Sequence, residues 1–187
     1  MAQASNSVSP ADIAQCSRAY GLPASLIAAI VATESSGVRG AVRAEPGYRY
    51  MWDVAKKAPF RKLTDEELHA AAPPDGFPAI EDESVATEWW GQRMSWGPMQ
   101  VMGAVARELG FRRPFGALCD AYIGLQWGCQ HLLSLKTRFL SGYGWEGVVA
   151  AYNAGSPRRG DDGKWVNQDY VDTVRKHGGF KALQGDR

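Results

Sequence analysis

The sequence predicts a mainly α protein: a compact helical domain carrying an inserted stretch of loop and short helix at about 40–95. Three observations predict it. Apolar residues recur at helical spacing outside that stretch, capping and stop residues punctuate them, and no alternation of apolar and polar residues lasts long enough to require a sheet. A small hairpin has room within the insertion. The 187 residues fit one domain, 1–187, and an apolar fraction of 45% against 22% charged supplies an ordinary core.

The elements follow in order. Ser9-Pro10-Ala11-Asp12 opens a first helix, with Ser9 as cap, proline at the first position and Asp12 at the positive end; Gly21 stops it. Pro23 opens a second helix through Leu26, Ile27, Ile30 and Val31 to Glu34, ended by Gly37. Between Gly40 and Ser95, Pro46-Gly47, Pro59, Pro73-Pro74-Asp75-Gly76 and Pro78 break the pattern. Thr64-Asp65-Glu66-Glu67 is a capping box for a short helix there, and Ser84 to Trp90 makes another. Regular signals return from Pro98 to Leu109, stopped by Gly110. A longer helix spans about Leu118 to Leu140, with Tyr122, Leu125, Cys129, Leu132 and Leu133 at helical spacing. Trp145 to Tyr152 and Gln168 to Lys176 complete the set.

Charge and composition exclude several functions. Twenty-one basic against 20 acidic residues leave a net charge of +1, so neither a nucleic-acid partner nor a membrane surface is advertised. The run Leu26 to Ala32 is too short to span a bilayer, so no integral membrane segment is expected. The polar stretch Met1 to Ser7 lacks the apolar core of a signal peptide, which predicts synthesis in the cytoplasm and delivery by another agent. Cys16, Cys119 and Cys129 form no pair spacing and are expected as buried or half-buried thiols; His69, His131 and His177 form no ligand spacing and receive no role.

Glu34 carries the chemistry. It follows Ile30 by four residues, Val31 by three and Ile27 by seven, which places it on the apolar face near the helix end. A carboxyl group in an apolar site resists ionisation and its pKa rises, which suits a general acid for a glycosidic oxygen. On pattern alone a carboxylate at a helix end can equally turn to solvent. Three motifs in order decide against that: Thr33-Glu34-Ser35-Ser36-Gly37, Ser95-Trp96-Gly97-Pro98-Met99-Gln100 and Ala151-Tyr152-Asn153-Ala154-Gly155.

Together they resemble the signature of the soluble lytic transglycosylases, relatives of goose-type lysozyme, over roughly Ser9 to Arg175 apart from the stretch between Gly40 and Glu88. The resemblance implies a lysozyme-like fold, peptidoglycan glycan strands as partner, and no metal or organic cofactor. It makes Glu34 the catalytic acid and base and carries Gln100 and Tyr152 to the saccharide cleft, with Tyr152 able to turn its hydroxyl toward Glu34. Gly97-Pro98 is expected to lead tightly into a helix whose first turn holds Met99 and Gln100. Ser35 and Ser95 join the lining set. Met99 is either a soft cleft wall or core, and Asn153 either meets substrate or fixes a loop. Tyr170-Val171 with Val174 matches the family's final helix and is read as core packing.

The expected reaction cleaves the bond from N-acetylmuramic acid to N-acetylglucosamine, with attack by the muramyl 6-hydroxyl giving 1,6-anhydro ends. An internal nucleophile has an effective concentration on the order of 10⁵ M or more, so a second carboxylate is unnecessary. One departure bears on this. More than sixty residues separate Glu34 from Gly97, and they contain Glu45, Asp53, Glu81, Asp82, Glu83 and Glu88. One of these reaching the cleft would hold a water and make a lysozyme-type hydrolase. Glu45, flanked by arginines and tyrosines in Arg43-Ala44-Glu45-Pro46-Gly47-Tyr48-Arg49-Tyr50, suits a cleft wall or a salt-bridged loop anchor. Trp52, Trp89, Trp90 and Trp96 can stack on sugars or pack the core. An inactive wall-binding or virion module is the reading from another class, disfavoured by Glu34, Gln100 and Tyr152 standing together. A monomer acting on the periplasmic wall, brought by phage or released at lysis, is the remaining expectation.

Overall fold

A computed structural model describes residues 6–183. Of the polar N-terminal stretch, residues 1–5 lie outside the described residues. The mainly α class holds, with 52% of the described residues in helix. Helix α1, Pro10–Tyr20, starts at the expected box: Ser9 Oγ accepts from the Asp12 amide (3.1 Å), and the Asp12 carboxylate accepts from the Ser9 amide (3.2 Å). Helix α2, Ala24–Ser35, buries Leu26, Ile27, Ala29, Ile30 and Val31. Its cap is Ser36, in left-handed backbone (φ 53°), one residue before the expected Gly37.

The centre of the fold is α6, Ala121–Ala154, capped by Asp120, whose carboxylate accepts from the amides of Tyr122 and Ile123. Gly144 (φ 62°, ψ −175°) breaks it, so the two predicted helices meet at a kink. Against α6 pack α1 and the last helix, α7, Gln168–Lys176, which buries Val171 and Val174, and α2 packs on both α1 and α7. Their shared core includes Cys16, Leu26, Ile30, Leu125, Cys129, Leu132 and Val149, each fully buried.

The second motif region departs from expectation. Residues 97–100 form a turn between strands β4 (Met94–Trp96) and β5 (Val101–Met102), and helix α5 covers only Gly103–Glu108. The reason is local. Gly97 (φ 72°) and Gln100 (φ 48°) both adopt left-handed backbone, which no helix accepts, and ladder pairing of Ser95 with Met102 and Trp96 with Val101 holds the strands. Strand β1, Val42–Ala44, adds antiparallel to β4, with Arg43 opposite Ser95. The small hairpin allowed for in the insertion is β2 (Trp52–Asp53) with β3 (Ala58–Pro59).

The insertion is an ordered unit, with helices α3 (Asp65–His69) and α4 (Val85–Gln92). Thr64 Oγ1 accepts from the Glu67 amide, the predicted box. Met51, Leu63, Leu68, Phe77 and Trp89 form its own small core. Phe77 meets Phe60 and Trp89 edge to face at 5.1 and 5.2 Å, contacts worth about 0.5–1.5 kcal/mol each beyond their area. A fully buried ion pair joins it to the body: Arg107 Nε and Nη2 donate to the two Glu88 oxygens, each at 2.9 Å. Gln92 Nε2 donates to Glu88 Oε1 (2.9 Å) and to the Trp52 carbonyl, and Arg107 Nη1 donates to the carbonyls of Phe111 and Arg113. With every polar atom of the pair engaged, its burial is tolerable; removal of one partner is not. Among the described residues no helix is long and apolar enough to cross a membrane.

Candidate active site

A cleft of about 830 Å³ lies between the helices and the inserted segment. Glu34, on the last turn of α2, lines it together with Arg43, Glu45, Ser95, Gln100, Tyr152 and Asn153. Burial raises the Glu34 pKa above the ordinary carboxylate range. Tyr170 on α7 opposes this by donating its hydroxyl to Glu34 Oε1 at 2.6 Å, a bond that favours the ionised form. Arg43 also lowers the pKa, and Glu45 raises it. The net result is an acid that keeps its proton further up the pH scale and that has one oxygen, Oε2, not engaged by Tyr170.

The motif residues converge on the 97–100 turn. Ser35 Oγ donates to the Pro98 carbonyl (2.8 Å), and the Tyr152 hydroxyl donates to the Met99 carbonyl (2.8 Å). Gln100 Nε2 donates to the carbonyls of Ala41 and Gly97, both at 2.9 Å, while its Oε1 accepts from Ser95 Oγ (2.8 Å). Close packing onto α6 and onto the turn at Phe115–Cys119 just before it completes the clamp. A Cβ on Gly97 would lie 2.0 Å from the Leu118 carbonyl oxygen, and one on Gly128 would lie 2.3 Å from Met99 Sδ. Only glycine fits at either point.

Several expected roles change accordingly. The Tyr152 hydroxyl is turned to the Met99 backbone rather than toward Glu34, because the turn supplies a buried acceptor. Gln100 lines the cleft, but both its amide hydrogens are held by backbone carbonyls. Ser35 spends its hydroxyl inside the fold and is outside the cleft lining. Met99 is fully buried against α6, which is the core alternative rather than a cleft wall. Asn153 is exposed in the cleft, with its Oδ1 accepting from Asn167 Nδ2 (2.9 Å).

Of the six inserted carboxylates singled out above, Glu45 alone lines the cleft. Arg43 Nε binds its Oε1 at 2.5 Å, and the Glu45 amide donates to the Arg93 carbonyl at 2.9 Å. Glu88 is consumed by Arg107, and Asp53 caps a turn by accepting from the amides of Ala55 and Lys56. Glu81 and Asp82 are exposed elsewhere, and Glu83 borders a second groove of about 420 Å³. None of the four tryptophans considered lines the cleft. Trp90 and Trp96 line that second groove on the other face of β4, and Trp96 stacks on Phe115 (5.6 Å).

Sequence reasoning missed Tyr170, read as core beside Val171 and Val174, which are buried. A phenol at the edge of an apolar stripe was the available signal, since a buried hydroxyl needs a partner. It also passed over His131, which lines the cleft against Tyr152 (ring centroids 4.9 Å). Burial first, then Arg138, push the His131 pKa down to about 4, so the ring is neutral in ordinary buffers. Beyond it the lining continues through Tyr48, Tyr50, Glu108, Ser134 and Arg138. Among the described residues no group of three or more His, Cys, Asp or Glu is placed to hold a metal ion. Compared with curated proteins and with solved structures, the chain finds no match. The family model described as the transglycosylase SLT domain matches residues 12–176.

Proposed function

The chain belongs to the transglycosylase SLT domain family, whose action is on peptidoglycan, and on that premise we propose that it cleaves the β-1,4 bond between N-acetylmuramic acid and N-acetylglucosamine to leave 1,6-anhydro ends. The observation that carries this reading is the pairing of a half-buried Glu34, its pKa raised by burial, with the Tyr170 hydroxyl at 2.6 Å. Tyr170 occupies Oε1, so Oε2 delivers the proton to the bridging oxygen as the C1–O4 bond breaks. The same phenol then stabilises the carboxylate so formed. The muramyl acetamido group supports the cationic anomeric carbon in a substrate-assisted route. Glu34 next takes the proton of the 6-hydroxyl as its oxygen bonds to C1, and the acid is restored. The 97–100 turn, clamped by Ser35, Gln100 and Tyr152, holds the sugar-side wall in place, and Asn153 offers its amide to substrate.

Glu45 supports a second reading. It lines the same cleft and is close enough to raise the Glu34 pKa, so it can hold a water and make the enzyme a muramidase. The test is mass spectrometry of muropeptides released from purified peptidoglycan by the wild type, Glu34→Gln and Glu45→Gln. Anhydro ends from the wild type, retained in Glu45→Gln and absent with Glu34→Gln, support the transglycosylase. Reducing ends that vanish in Glu45→Gln establish the hydrolase instead.

A further inference from the structure

Among the described residues two arginines are buried, and the fold treats them differently. Arg107 meets both oxygens of Glu88. Arg93, only 2% exposed, meets no carboxylate and forms no ion pair among the described residues. Its Nε and Nη1 have no hydrogen-bond partner, and its Cζ lies 4.6 Å from the centre of the Trp89 ring and 5.0 Å from that of Trp90. Both of its side-chain hydrogen bonds leave from one atom: Nη2 donates to the carbonyls of Pro46 (2.5 Å) and Leu68 (2.6 Å). An unpaired buried cation is costly, and an apolar side chain of similar volume commonly serves stability as well or better. What an apolar residue cannot supply here is the hold on those two carbonyls.

The hold falls where the inserted wall reaches the cleft. Strand β1 ends at Ala44, opposite Met94, so the ladder seats Arg43 but not the residues that follow. There the Glu45 amide donates to the Arg93 carbonyl (2.9 Å), and the Pro46 carbonyl takes the Arg93 side chain. Main chain and side chain of one residue thus fix two successive positions. The Tyr48 amide closes the turn by donating to the Glu45 carbonyl (3.0 Å), and Leu68, in the small core of the insertion, anchors the guanidinium from behind. The groups facing Glu34 are Arg43 and Glu45 from the inserted wall, Tyr152 from α6 and Tyr170 from α7. Of the inserted pair, Arg43 is seated by the ladder and Glu45 by Arg93.

We propose that Arg93 is a positioning residue for the reaction, holding the Glu45 carboxylate on the wall of the cleft that contains Glu34. The inference rests on the reading of Glu34 as the acid. Without the Arg93 side chain, residues 45 and 46 drift, the like charge of Glu45 weakens at Glu34, and Arg43 is freed from Glu45. Both changes favour the Glu34 carboxylate.

The test is site-resolved titration of the Glu34 carboxyl carbon by nuclear magnetic resonance, with kcat/KM against pH measured beside it. Arg93→Met is expected to lower the midpoint in the same direction as Glu45→Gln, and the double variant to go no further than Glu45→Gln alone. Arg93→Lys is expected to keep the wild-type midpoint, since one nitrogen can make both bonds. Leu63→Ala, which loosens the small core, is expected to lower Tm and leave the midpoint in place. The alkaline limb of kcat/KM should follow the midpoint in each variant. Should Arg93→Met fail to fold, Arg93→Gln, neutral and too short for both carbonyls, carries the same expectation. An unmoved midpoint in the neutral variants, an equal shift in Leu63→Ala, or a double variant that shifts beyond Glu45→Gln overturns the proposal. The titration needs no substrate, so a midpoint that moves as expected in a protein that cleaves no peptidoglycan upholds the positioning of Glu45 and removes the glycan-cleaving reading.

Discussion

On one side of the cleft, α2, α6 and α7 bring Glu34, Tyr152 and Tyr170 together from positions up to 136 residues apart, all on helices packed into one apolar core. On the other side, the segment at about 40–95 presents Arg43, Glu45, Tyr48 and Tyr50 from strand and loop, backed by a separate small core. The helical wall fixes Glu34, the proposed acid. The inserted wall contributes charges that adjust its pKa and phenols that line the cleft. The acid sits on rigid packing, and the charges that tune it belong to a unit fastened through the Glu88–Arg107 pair.

The sharpest way to break this division is to exchange the acid on each wall. Glu34→Gln is expected to lower kcat on peptidoglycan by a factor on the order of 10²–10⁴, the usual contribution of general acid catalysis, with an unchanged far-ultraviolet dichroism spectrum. Glu45→Gln is expected to retain most of its rate. Equal losses at both positions would erase the distinction and favour the hydrolase.

The next largest effect concerns the fastening. Glu88→Ala leaves the Arg107 guanidinium buried without its counter-charge and is expected to cost about 3–5 kcal/mol. Each kcal/mol corresponds to roughly 2–4 °C in Tm for a chain of this size, readable by calorimetry. A loss below about 1 kcal/mol would mean that the insertion is not held through this pair.

A smaller effect reads the two walls against each other. Activity that requires protonated Glu34 falls as pH rises through its pKa. Tyr170→Phe removes a bond that favours the carboxylate, so the alkaline limb of kcat/KM should move to higher pH, with kcat down by roughly tenfold or less. Glu45→Gln removes a like charge, so the same limb should move to lower pH. Shifts in one direction for both would contradict the opposed roles. Stability carries the complementary sign. Because the folded pKa of Glu34 is raised, the folded state binds that proton more tightly than the unfolded chain. Stability therefore falls as pH climbs from the unfolded to the folded pKa, and the loss stays constant above. Glu34→Gln should thus melt higher than the wild type at neutral pH, and the gap should close at pH below the unfolded glutamate pKa.

The helical wall was largely legible in the sequence because its signals are local. The Ser9–Asp12 box, the apolar spacing that aims Glu34 inward and the glycine stops all act within a turn or two. The 97–100 segment was misjudged as helix because what decides it lies elsewhere: pairing of β4 with β1 and β5, and glycines on α6 that admit Pro98 and Met99. The partners of Ser35, Gln100 and Tyr152 are backbone carbonyls from 53 to 63 residues away in most cases, and side-chain type alone cannot indicate them. The acidic residues of the insertion looked equivalent in sequence. Only packing separates Glu88, neutralised in a dry ion pair, from Glu45, held at the cleft by Arg43 and the Arg93 carbonyl.

Site-resolved titration of the Glu34 carboxyl carbon by nuclear magnetic resonance addresses the central claim without any substrate. A midpoint above that of an ordinary glutamate, moving higher still in Tyr170→Phe, is the predicted result. A midpoint at or below the ordinary value, unmoved by Tyr170→Phe, would contradict an acid held protonated by burial in this cleft.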